Sequence, residues 1–163
     1  MEAATSEFVQ AFVAATFYAV TTLLSETPER GDLSIEPSGT TTSQVNVVID
    51  VNGELNGQIV MGMTLATADK IASAMHRLPI VTFDKLAATK IREMAAMIID
   101  IVAENLSQSG PDLELGSPTI VRGVNARIAK ATITAIVIPI RLPFGEISLS
   151  VGLEDGDKLK RPA

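Results

Sequence analysis

Cysteine and tryptophan are both absent from this 163-residue chain, and histidine and tyrosine occur once each. Without cysteine there is no disulfide, no thiolate metal site and no thiol nucleophile. One histidine excludes a multi-histidine zinc centre and any relay built on several imidazoles. Basic side chains are scarce as well: 13 Lys and Arg stand against 19 Asp and Glu, a formal charge of −6. Nucleic-acid affinity comes mainly from clustered Lys and Arg, so no nucleic-acid partner is expected, whereas a basic protein surface remains open. Hydrophobic residues make up 47% of the chain, yet no run of 18 apolar residues appears, and no membrane insertion is expected. The apolar start over residues 8–24 follows Glu2 and Glu7 and is interrupted by Gln10, Thr16, Thr21 and Thr22, the opposite of a signal peptide. These features predict a cytoplasmic protein. The length suits one domain that buries roughly 70% of its unfolded surface.

The pattern of apolar residues predicts helices and strands in a definite order. Phe8, Val9, Phe12, Val13, Phe17, Val20, Leu23 and Leu24 recur at helical spacing, with Ser6 as the expected N-cap and Pro28 beyond the end. Residues 29–43, rich in Gly, Pro, Ser and Thr, read as an irregular connection. Val45, Val47, Ile49 and Val51 then alternate as one face of a strand. Asn52-Gly53 and Asn56-Gly57 supply turn residues, and Ile59, Met61 and Met63 return on a second strand. Thr67 is the expected cap of a short helix over residues 68–76, ended by Pro79. The longest helix is expected over residues 84–109, closed by Gly110 and Pro111. Three strands follow, over residues 113–122, 127–140 and 146–153, with Pro139 marking an edge or an irregularity. Strands joined by short turns should pair antiparallel, and two long amphipathic helices must bury their stripes. The expected architecture is α+β: a single domain over residues 1–154, with a largely antiparallel sheet carrying two long helices and one short one. Residues 155–163 are expected to form a flexible tail.

Familiar catalytic signatures are missing. There is no Walker phosphate loop, no glycine-rich dinucleotide turn, no nucleophile elbow and no paired metal-ligand spacing. His76 falls at a helix C-terminus, where it is either a cation set against the helix dipole or a catalytic base. The long helix is more informative. Ile91, Met94, Met97, Ile98, Ile101 and Val102 form an apolar arc, with Thr89, Glu93, Ala96, Asp100 and Ala103 opposite. Glu93, Asp100 and Glu104 rise along one side of the helix. That side is either a solvated face or an acidic ridge whose small residues let a partner approach closely.

Four stretches resemble a known family in unbroken order over roughly residues 7–153. Val51-Asn52-Gly53-Glu54-Leu55-Asn56-Gly57-Gln58-Ile59 resembles the hairpin of the CheX branch of the CheC/CheX/FliY chemotaxis phosphatases. The short helix with Lys70-Ile71-Ala72-Ser73-Ala74-Met75 follows it, as in that family. Ile91-Arg92-Glu93-Met94-Ala95-Ala96-Met97 is similar to the family's motif-bearing helix, and Ser117-Pro118-Thr119-Ile120-Val121-Arg122-Gly123 to the strand after it.

The resemblance implies a CheC/CheX-like fold and hydrolysis of the aspartyl phosphate on a CheY-like response-regulator receiver. In the family a Glu engages a receiver lysine, and an Asn three residues later holds the attacking water. That spacing puts both groups on adjacent turns of one face. Glu93 matches the acidic position and is the implied catalytic residue. Ala96 occupies the Asn position, and Asp100 stands where the family often has a small residue. The implied partner-binding residues are Thr89, Glu93, Ala96 and Asp100. No metal site or cofactor is expected in this chain, any Mg²⁺ being held by the receiver. The resemblance and a strand edge also imply a homodimer joined through the sheets. The alternative reading is a non-catalytic module that binds a receiver or a flagellar-switch partner, because an alanine methyl neither donates nor accepts a hydrogen bond.

Overall fold

A computed structural model of the chain describes residues 3–37, 43–80, 84–106, 110–123 and 134–155. Among these residues the order begins α1 (Ala3–Leu24), β1 (Glu29–Arg30), β2 (Ser34–Pro37), β3 (Val45–Gly53), β4 (Leu55–Met63) and α2 (Leu65–His76). It continues with α3 (Lys85–Leu106), β5 (Leu113–Leu115), β6 (Thr119–Arg122), β7 (Thr134–Leu142) and β8 (Gly145–Asp155). The strands form one antiparallel sheet in the order β1-β7-β8-β4-β3-β5, with β2 also on β7 and β6 also on β3. The helices pack on it, so the α+β expectation holds.

The core lies between the sheet and the helices. Val47, Ile49, Ile59, Met61, Ile138 and Leu149 point inward from the strands and are buried with Phe8, Phe12, Ile71, Ile91, Met94 and Ile98 from the helices. α1 is long and apolar enough to cross a membrane by length and composition alone. In the fold it is a core helix that packs against α3 and buries Phe8, Phe12, Ala15, Ala19 and Val20.

The hairpin between β3 and β4 forms as expected, with Gly53 and Gly57 both at positive φ. A Cβ at Gly57 would lie 1.9 Å from the Gly152 carbonyl oxygen on β8, so only glycine permits this strand approach. Asn46, on β3, is buried and donates from its amide to the carbonyls of Ser43 (3.0 Å) and Val121 (3.2 Å).

Several boundaries differ from expectation. Ser6 is not the N-cap of the first helix, because Ala3 and Ala4, strong helix formers, carry α1 past it. The short helix is capped by Thr64, not Thr67: the Thr67 N–H donates to Thr64 Oγ1 at 3.0 Å. The helix over residues 84–109 is α3, with Asp84 Oδ1 accepting from the Ala87 N–H at 3.0 Å. Among the described residues its 22 residues equal those of α1. Gly110 closes it with an N–H to the Leu106 carbonyl at 3.0 Å, whereas residues 107–109 lie outside the described residues.

The segment expected to be irregular after Pro28 contains β1 and β2, both paired to β7. Between them the Gly31 N–H donates to the Pro139 carbonyl at 2.8 Å, and a Cβ at Gly31 would come within 2.6 Å of the Pro139 ring. Pro139 thus marks an irregularity, opposite the gap where the ladder changes partner. The strand expected over 113–122 is two strands, β5 and β6, because Gly116-Ser117-Pro118 interrupts the ladder and Pro118 has no N–H to give. Both pair with β3 rather than with β7, which lies beyond β4 and β8. The next expected strand begins at Thr134 in β7; residues 127–133 and 156–163 lie outside the described residues.

Candidate functional site

α3 divides cleanly into an inner and an outer face because its apolar residues recur at 3.6-residue spacing. Ala87, Ile91, Met94, Ala95, Ile98 and Val102 are fully buried, whereas Met97 and Ile101 are half-buried flanks. Arg92, Glu93, Ala96, Asp100, Ala103 and Glu104 are exposed. Glu93, Ala96 and Asp100 therefore share one solvent-facing surface. Thr89 sits at its margin, half-buried, and its hydroxyl donates to the Lys85 carbonyl at 2.9 Å.

Glu93 and Asp100 lie seven residues apart, close to two turns, which separates them by about 10 Å along the axis. Glu93 and Ala96 stand on adjacent turns with Cβ atoms about 5–6 Å apart. The surface presents two carboxylates with a methyl group between them that neither donates nor accepts a hydrogen bond.

One charged neighbour was not singled out from the sequence. Lys90 Nζ lies 3.5 Å from Glu93 Oε2, with the lysine side chain 22% exposed and the glutamate 54%. The signal was available as opposite charges at (i, i+3) on one helix. A second such group is Asp69 on α2. Its Oδ1 is buried and has no hydrogen-bond partner among the described residues. Burial pushes the Asp69 carboxyl above its ordinary value and Asp84 adds to this, while the positive charge of Arg122 pulls it down.

His76 is half-buried in the last turn of α2, one residue before Arg77, whose φ of 63° ends the helix. That position suits a cation against the helix C-terminus. Among the described residues no group of three or more His, Asp or Glu side chains is placed to hold a metal ion.

Comparison with known proteins agrees with this architecture. Residues 45–141 match the family model described as chemotaxis phosphatase CheX. The curated proteins give no match. A CheC-like superfamily protein from Shewanella is similar at TM-score 0.82 and 18% identity, covering 94% of this chain and 99% of that one. The chemotaxis protein CheX of Desulfovibrio desulfuricans is similar at TM-score 0.80 and 23% identity, over 91% of this chain and 99% of its own. The chain is also similar to the Borrelia burgdorferi protein solved as a CheX–CheY–BeF₃–Mg²⁺ complex, at TM-score 0.76 and 20% identity, covering 91% and 98%.

Proposed function

This chain belongs to the CheX family of chemotaxis phosphatases, and from that membership we propose that it docks on a phosphorylated CheY-like receiver through the outer face of α3. There it promotes hydrolysis of the aspartyl phosphate. Water attacks phosphorus, the bond to the aspartate oxygen breaks, and phosphate leaves. An aspartyl phosphate with its Mg²⁺, both held by the receiver, already carries most of the charge stabilisation. The docking protein has to bring the two surfaces together and order the water. Glu93 is the group that enters the receiver's site and pairs with its lysine; Thr89, Ala96 and Asp100 border it. One observation carries this reading: Glu93 is exposed at the middle of the helix face that the fold leaves free of core contacts.

Decay of phosphorylated receivers from the same genome, with and without this protein, tests the proposal. Wild type shortens the lifetime and Glu93→Gln lengthens it again. An unchanged rate in Glu93→Gln overturns the role given to that residue.

A second reading is favoured by Ala96, which puts a methyl group where the family's resemblance implies an amide. On that reading the same face binds the receiver without hastening phosphate loss, and the same assay separates the two. The proposal also places the protein in the cytoplasm, in two-component signalling, as a homodimer. The apolar side chains of Leu33 (41% exposed) and Ile35 (69%) at the β1–β2 margin support self-association.

A further inference from the structure

The exposed face of α3 carries a charge pattern that the family resemblance leaves unused. Glu93 is flanked on the helix by Lys90 on one side and Ala96 on the other, each about 60° around the axis by helical geometry. Its carboxylate lies toward Lys90, at 3.5 Å. The two partners differ in freedom: the Lys90 side chain is 22% exposed and the Glu93 side chain 54%. The lysine side chain is therefore the more enclosed of the two and the carboxylate the more open to a partner.

We propose that Lys90 is a positioning residue that parks the Glu93 carboxylate on the flank of α3 away from Ala96, so that docking exchanges an internal ammonium for one on the partner. This rests on the reading of Glu93 as the docking carboxylate. The exchange of one cation for another makes the free protein's own ion pair a competitor of the complex. Its strength therefore enters the affinity directly, and an (i, i+3) ion pair on a helix corresponds to about a twofold effect. The partner this selects presents a lysine or arginine that reaches Glu93 more closely than Lys90 does. A receiver lacking that cation gains nothing by opening the pair.

Titration of the receiver, held in its phosphorylated-like state by beryllofluoride and Mg²⁺, reads the effect without depending on hydrolysis. Lys90→Met keeps the length and the packed stem but removes the charge, and circular dichroism verifies the fold. The expected result is binding about twofold tighter than wild type, with Lys90→Arg matching wild type because the pair is restored. In a Glu93→Gln background, Lys90→Met should change nothing, since no carboxylate remains to be held. Unchanged or weaker binding by Lys90→Met overturns the inference, and so does a gain that persists in the Glu93→Gln background. If Glu93→Gln alone binds as wild type, the docking role of Glu93 fails first, and the two failures are distinguished by that single variant.

Discussion

Ala96→Asn is the substitution that bears most directly on the chemistry of α3. Ala96 is exposed, so the larger side chain displaces nothing from the core. Replacing alanine by asparagine within a helix costs about 0.5 kcal/mol, small against the stability of a domain of this size. The new amide would stand one turn from Glu93, with Cβ atoms about 5–6 Å apart, so both groups reach one site on a partner. A preorganised polar group aimed at the reacting centre is worth about 10²–10³ in rate. Against this works Asp100, one turn further on, which can accept a hydrogen bond from the new amide and hold it aside. An amide–carboxylate pair at (i, i+4) is worth about 0.2–0.5 kcal/mol, roughly a factor of two. The gain therefore outweighs the capture. The expected outcome is that Ala96→Asn speeds decay of the phosphorylated receiver by about two orders of magnitude, and that adding Asp100→Ala raises it further by about twofold. The assay follows phosphate loss from the receiver at fixed Mg²⁺, with equal amounts of folded protein. A folded Ala96→Asn protein that leaves the decay at the wild-type rate refutes the reasoning, because water is then ordered by a different group or not at all.

Three further outcomes follow from other parts of the molecule. Ile98→Ala empties a fully buried position beneath α3, and urea unfolding should show a loss of about 2–5 kcal/mol; a loss below 1 kcal/mol would mean that the core under the helix refills. Asp69→Asn tests the raised carboxyl. The protonated form is favoured in the fold, so the group's contribution is most favourable below the ordinary aspartate value of 3.8 and declines as pH rises through the higher folded value. The variant should therefore have a higher urea midpoint than wild type at pH 7, with the difference closing toward pH 4; a constant difference across that range would contradict the assignment. Sedimentation of the purified chain should give the mass of two copies, and a single-copy mass at all concentrations tested would remove the homodimer.

The parts of this fold that could be read from the sequence are those that a local period records. The outer and inner faces of α3 separate at 3.6-residue spacing, and the core-facing residues of β3, β4 and β8 alternate cleanly. β1 and β2 were invisible because two and four residues hold no period, and their existence depends on β7 being available more than a hundred residues later. The same limit hid the destination of β5 and β6. Their partner β3 precedes them by two helices, and nothing local distinguishes it from β7. At the site, the exposure of Glu93, Ala96 and Asp100 was legible from the wheel. The buried Oδ1 of Asp69, without a partner among the described residues, was not, since its surroundings come from residues distant in sequence, Asp84 and Arg122 among them.

The two sides of α3 answer to different demands. Ile91, Met94, Ile98 and Val102 weld the helix to the rest of the molecule, so the opposite side is presented as a fixed template rather than a yielding one. A partner docking on it as proposed would have to conform to it, and little ordering entropy would be lost on this protein's part. Selectivity can then be rewritten from outside, one solvent-facing residue at a time, without the scaffold noticing.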